Sequence, residues 1–252
     1  EVSTNGREYT SSGVRFELVS VSVQDVTPWL GPTLGGTVVT IAGSRLAHAE
    51  SLRCTFGVSK WSTSVYSSSW SVAASVHGSE GVRCVSPRAL PTGWSALELW
   101  SHGTSLRSGA SFFVHVAMYV SAVDPPAGPV SGGTRVSVLG AGFREAATFR
   151  CRFEAGGASV VARHVSEEQV ECASPPSSGA GSRRVEVSLN GQQFSSSGVS
   201  FTYRPAAAVS SVWPTRGVSE GGTPVTVLGS GFSAAAEASG ALLCRFNTTA
   251  VV

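Results

Sequence analysis

Three features of this 252-residue chain could carry chemistry: its five cysteines, a Gly-x-Ser-x-Gly pentapeptide, and a cluster of His164 with Glu167, Glu168 and Glu171. Gly217-Val218-Ser219-Glu220-Gly221 has the form of a nucleophile elbow, which works by exposing its serine on a sharp turn from strand to helix. No helical period follows Gly221, and the positions equivalent to Ser219 elsewhere in the chain are Thr33 and Val130. No nucleophile is therefore read there. His164 and its glutamates run into a strand pattern and read as a solvated loop and strand face. The five histidines fall at non-equivalent positions, and no Cys-x-x-Cys or His-x-x-x-His spacing occurs. The expectation is a protein with no metal, no other cofactor and no catalytic centre.

The cysteines say more, because they recur. Cys54-Thr55-Phe56 matches Cys151-Arg152-Phe153, and Val82-Arg83-Cys84-Val85-Ser86-Pro87 matches Val170-Glu171-Cys172-Ala173-Ser174-Pro175. Successive strand side chains alternate in direction, so each first cysteine shares a core-facing side with the phenylalanine two residues on. The two cysteines of each set, 30 and 21 residues apart, read as disulfides Cys54–Cys84 and Cys151–Cys172, with buried reduced thiols as the alternative. Loops of that length give about 3 kcal/mol per bridge in the chain-entropy treatment. Cys244 aligns with the first cysteine of a set, and its partner is expected beyond Val252.

Elements that would position these residues repeat as well. Gly31-Pro32-Thr33-Leu34-Gly35-Gly36-Thr37 returns as Gly128-Pro129-Val130-Ser131-Gly132-Gly133-Thr134 and as Gly217-Val218-Ser219-Glu220-Gly221-Gly222-Thr223, 97 and then 89 residues apart. A period near 100 residues suits a small domain with its own core. Each marker precedes an alternating strand whose aliphatic face is Val39 and Ile41, then Val136 and Val138, then Val225 and Val227. The double glycine is expected to form a tight hairpin, Gly43, Gly140 and Gly229 to end the strand, and Pro224 to mark an edge. The opening Glu1-Val2-Ser3-Thr4-Asn5-Gly6 matches Glu186-Val187-Ser188-Leu189-Asn190-Gly191. The expected domains are 1–18, the end of a preceding repeat; 19–115 and 116–204, two complete repeats; and 205–252, the first half of another.

Composition excludes several classes. Net charge is +2, only 13% of residues are charged, and Lys60 is the single lysine, which leaves nothing to grip phosphate and argues against a nucleic-acid partner. Arg183-Arg184 is the one basic pair and reads as solvated loop. No apolar run approaches the roughly 18 residues of a membrane span, so any membrane attachment is expected through regions outside this sequence.

The ordered string Pro125, Gly128-Pro129, Gly132-Gly133-Thr134, Gly140-Ala141-Gly142-Phe143, Cys151-Arg152-Phe153, Val170-Glu171-Cys172-Ala173-Ser174-Pro175, Val185-Glu186-Val187, Asn190-Gly191, Phe201-Thr202-Tyr203 resembles the IPT/TIG domain. The first repeat departs in places, with Gly43-Ser44-Arg45-Leu46, His102-Gly103 and Phe112-Phe113-Val114 at the corresponding sites, and keeps the apolar pattern. The resemblance implies an all-β chain of tandem immunoglobulin-like sandwiches, like those in the ectodomains of plexins, Met-type receptors and fibrocystin-like proteins. The family also includes modules of secreted starch-acting enzymes and of Rel-type transcription factors, and fold alone does not choose among them.

Two features bear on binding. Trp29, Trp61, Trp70, Trp94 and Trp100 all fall in the first complete repeat, and an inserted serine-rich stretch at 60–80 carries Trp61, Tyr66 and Trp70 as candidate partner-binding residues, with self-covering of that repeat's core as the alternative. Asn247-Thr248-Thr249 is a glycosylation sequon, which together with paired cysteines favours the secretory route and an extracellular or cell-surface location. The expected role is a non-catalytic fragment of a cell-surface or secreted multi-repeat protein in adhesion or receptor-type binding. Its repeats, joined by short linkers, would form a semi-stiff spacer and interaction rod. Partners would be other proteins or glycans at the cell surface, copies of the same chain included. A structural component of an extracellular or ciliary-surface assembly, and an accessory segment of a large secreted enzyme, stay open as alternatives.

Overall fold

Alternating side chains and glycine-rich turns make the chain nearly all β, and Val39, Ile41, Val136 and Val138 all lie fully buried as their parity demands. The computed structural model describes residues 1–15, 21–46, 51–58, 69–79, 81–106, 109–154, 156–232, 234, 237, 242–247 and 249–251. It divides into two units, Glu1–Val116 and Ala117–Val252.

The first unit contains β1 (Ser22–Thr27), β2 (Leu30–Pro32), β3 (Val38–Ser44), β4 (Arg53–Val58), β5 (Ser69–His77), β6 (Gly81–Val85), β7 (Gly93–Ser101), β8 (Thr104–Ser105) and β9 (Ala110–His115). They run in the order β1-β3-β6-β5-β4-β7-β9-β2, with β8 paired to β7. This path folds into a sandwich because β5 changes partner midway: Ser69 to Ala73 pair with β4, and Ala74 to His77 pair with β6. The core between the layers includes Ile41, Phe56, Leu97, Leu99 and Phe112.

The second unit repeats the plan. Its strands are β10 (Tyr119–Asp124), β11 (Ala127–Pro129), β12 (Arg135–Ala141), β13 (Arg150–Arg152), β14 (Ser159–Ser166), β15 (Gln169–Ala173), β16 (Gly181–Arg184), β17 (Glu186–Ser188) and β18 (Ser200–Arg204). Here β14 switches between β13 and β15 as β5 does between β4 and β6. The same unit holds β19 (Ala208–Trp213) paired with β20 (Thr226–Ser230), and β21 (Cys244–Phe246) paired with β22 (Thr249–Val251). β19 is exposed throughout, Trp213 to 73%.

The glycine marker does not form the expected hairpin. β2 joins β9 in parallel while β3 lies between β1 and β6, so the turn carries the chain from one sheet to the other. Left-handed backbone at Gly35 (φ 68°) and Gly36 (φ 81°), and again at Gly132 and Gly133, makes that crossing. Gly36 and Gly133 each donate a main-chain hydrogen bond to the carbonyl of Ser86 or Ser174, which pins the turn beside the second cysteine strand.

Gly43, Gly140 and Gly229 do not end their strands, which continue to Ser44, Ala141 and Ser230. Each faces a bulge in the neighbouring strand, at the register shifts Val23/Asp25, Val120/Ala122 and Val209/Ser211. A Cβ on any of the three would fall within about 2 Å of a carbonyl oxygen of Ser22, Tyr119 or Ala208. The edge position expected from Pro224 agrees with β20, whose one partner among the described residues is β19, but does not extend to the other repeats. The Pro224 counterparts Val38 and Arg135 belong to interior strands, and Pro224 itself precedes β20, at a strand start that needs no ladder donor.

Candidate functional site

Each complete repeat centres on its cysteine pair. Cys54 on β4 faces Val72 on β5, Cys84 on β6 faces Ala74, and a disulfide joins the two cysteines across the switching strand. Cys151 opposite Val160 and Cys172 opposite Ala162 repeat the arrangement, with 6.3 Å between Cα atoms in both bridges. All four are at most 2% exposed. The bridge therefore clamps the two layers at the place where one strand passes between them. Cys244 is exposed and unbridged.

Ser219 sits on a turn that leads through Gly221 and Gly222 into β20, and its hydroxyl donates to the Glu220 carboxylate at 2.9 Å. A main-chain hydrogen bond, and then that of Ser219, hold the Glu220 carboxyl below its ordinary 4.5, the wrong direction for a base working near neutrality. Glu171 pairs with Arg163 on the neighbouring strand at 2.7 Å, and no group of three metal-binding side chains occurs among the described residues. Arg183 and Arg184 lie on β16 rather than in a loop, and Arg183 approaches Glu154 at 3.5 Å.

Repeat 2 instead buries a structural ion pair. Arg152 and Glu186 are cross-strand partners on β13 and β17, and the Arg152 guanidinium lies 4.0 Å over the Phe194 ring. Glu186 is only 8% exposed.

Of the candidate partner-binding residues, Trp61 and Tyr66 lie outside the described residues. Trp70 on β5 is half-buried against the repeat's own core. Asn247 is exposed on the turn between β21 and β22.

Trp29 and Trp94, far apart in the sequence, meet on the surface of repeat 1. Their rings stack at 5.5 Å with an interplanar angle of 18°, and Phe113 packs edge-on at 5.3 Å from Trp94. Parity along β7 could have found the face, since Trp94, Ala96, Glu98 and Trp100 alternate with inward Leu97 and Leu99.

Two complete repeats, each a disulfide-clamped sandwich with its second and last strands in parallel register, define an array of immunoglobulin-like β modules. The sequence model of the IPT/TIG domain matches residues 21–114, 118–203 and 207–252, and the chain belongs to that family. It is similar to Plexin-A3 of Rattus norvegicus, with 25% identity over 221 residues, and to Plexin-A3 of Homo sapiens, with 26% over 247. Those alignments cover 82% and 90% of this chain but only 11% and 12% of the relatives, so the chain spans about a tenth of their length. Among solved structures, the full extracellular region of Plexin A4 superposes with a TM-score of 0.54 at 20% identity, covering 90% of this chain and 19% of that one, a likeness of fold. No helix among the described residues is long and apolar enough to cross a membrane.

Proposed function

We propose that this chain is a non-catalytic extracellular segment of a receptor-type or adhesion protein, in which successive IPT/TIG modules space and present binding surfaces. The observation that carries the reading is the cystine clamping each complete repeat, because structural disulfides persist in oxidising compartments. Likeness to plexins over most of the chain agrees with it. Partners in this reading are proteins or glycans at the cell surface, copies of the chain included, and Trp61, Tyr66 and Trp70 are one proposed contact, Trp70 standing on the shared strand β5 rather than in an insertion. Asn247 is the proposed glycan attachment site.

An assembly role, with modules packed face to face, would favour exposed apolar residues at equivalent positions of successive repeats. Val38, Val76 and Val85 are exposed in repeat 1, yet their counterparts are Arg135, His164 and Ala173. Leu139 and Leu228 are exposed at equivalent positions, so the observation counts against face-to-face packing of repeats 1 and 2 alone.

Surface biotinylation of intact cells expressing the parent protein, followed by non-reducing peptide mapping, tests the proposal. Biotin-labelled protein with Cys54–Cys84 and Cys151–Cys172 peptides linked, and a glycan on Asn247, is expected. Unlabelled protein with free thiols and a bare Asn247 would overturn it.

A further inference from the structure

Repeat 1 carries a surface that the shared fold does not require. Phe113 donates its main-chain N–H to the Trp29 carbonyl at 2.8 Å, and Thr202 makes the same bond to Pro126 at 2.9 Å in repeat 2. Trp94 pairs with Phe113 across β7 and β9 as Ser182 pairs with Thr202 across β16 and β18. The backbone is thus the same, while Trp29, Trp94 and Phe113 stand where Pro126, Ser182 and Thr202 suffice. Trp94 is 58% exposed, an unusual position for so large a ring.

A groove runs beside this stack, lined by Trp29 with Gln24, Asp25 and Ser111. Gln24 is the extra residue at the β1 bulge, the kind of local kink that re-aims side chains. The equivalent bulge in repeat 2 has Ser121 and Ala122 in place of Gln24 and Asp25. Aromatic rings, amide and carboxylate are therefore all present in one repeat and all missing from the other. Asp25 accepts a 2.9 Å hydrogen bond from the Thr27 hydroxyl at Oδ2, which orients the carboxylate and leaves acceptor capacity on its other oxygen.

We propose that this groove and the Trp29–Trp94 stack bind a short neutral saccharide, which deepens the binding role proposed above by naming its ligand. A pyranose has an apolar C–H face and a rim of hydroxyls. Ring faces suit the first, and an acceptor carboxylate with a donor–acceptor amide suits the second, the pattern of a few placed polar groups beside apolar walls. Asp25 repels anions, and none of the described lining residues is an arginine or lysine, so sulfated or phosphorylated chains are disfavoured. The bulge on β1 also distorts the strand edge that an added peptide strand would need.

Saturation-transfer NMR on the 252-residue chain with cellohexaose, chitohexaose and mannohexaose, and with a heparin hexasaccharide for comparison, tests this. At least one neutral hexasaccharide is expected to receive saturation at its ring C–H protons. Trp94→Ser should weaken that binding at least tenfold and Asp25→Ala several-fold, both with unchanged β circular dichroism, since each installs the residue that repeat 2 carries. If Trp94→Ser disturbs folding, Asp25→Ala alone decides. Transfer to no neutral sugar, transfer to heparin alone, or affinity unchanged in the variants would each overturn the proposal. Such failure would leave surface labelling and disulfide mapping untouched, and so would not be confused with failure of the extracellular reading.

Discussion

The phenol oxygen of Tyr203 donates a 2.9 Å hydrogen bond to the main-chain carbonyl of Pro175, tying the last strand of repeat 2 to the segment that follows Cys172. Repeat 1 has the fully buried Val114 at the position of Tyr203, with no hydroxyl to make that bond. Tyr203→Phe should cost repeat 2 about 1 kcal/mol, the usual net worth of one such bond, read from denaturant unfolding. Burial pushes the Tyr203 phenol above its ordinary 10.0, outweighing the Ser174 hydrogen bond and the Arg183 charge that lower it. The folded repeat then holds this proton to higher pH than the unfolded chain does. Its contribution is complete below pH 10 and declines as pH rises through 10 toward the folded value. Tyr203→Phe should remove that part of the alkaline decline.

Gly140→Ala places a methyl 2.1 Å from the Tyr119 carbonyl oxygen and 2.7 Å from the Phe143 ring, with backbone on one side that cannot retreat. A loss of about 3 kcal/mol is expected. Gly179→Ala, with nothing within 4 Å, is the control and should change stability by less than about 0.5 kcal/mol. Thermal unfolding of both variants separates a role in close approach from a general intolerance of glycine replacement.

Removing the clamp between Cys151 and Cys172 with a double alanine variant should lower stability by about 3 kcal/mol. The matching change at Cys54 and Cys84 should have a similar effect confined to repeat 1. Urea unfolding followed by limited proteolysis would show which repeat opens first. Equal loss in both repeats from one double variant would contradict their independence.

Glu186→Ala strips the partner from Arg152 inside a mostly buried pair, and a cost of about 2 kcal/mol is expected, moderated by the Phe194 ring beneath the guanidinium. A double-mutant cycle with Arg152→Met isolates the coupling. Additive losses would mean that the pair is incidental.

Recurrence made most of this fold readable. Alignment of Cys54-Thr55-Phe56 with Cys151-Arg152-Phe153 set the core parity, because a two-residue period cannot be shifted by one without turning the core outward. Pairing partners were harder to read. Gly31 to Thr37 looked like a hairpin because local turn chemistry is the same whether the chain returns to its own sheet or crosses to the other. Gly140 looked like a strand end because its constraint comes from Tyr119, 21 residues away. Trp29 and Trp94 are 65 residues apart, and only the pairing of both segments with Phe113 brings them together.

The parallel register of β2 and β9, with Leu30 opposite Phe113 and Pro32 opposite His115, has a mechanical consequence. Parallel neighbours begin at the same end, so tension that draws the start of β2 and the finish of β9 apart slides the ladder lengthwise. Its hydrogen bonds then share the load instead of opening one by one from an end. We expect each complete repeat to yield abruptly at one high force in single-molecule stretching, whereas gradual low-force opening would show that β2 and β9, or β11 and β18, do not bear the load together.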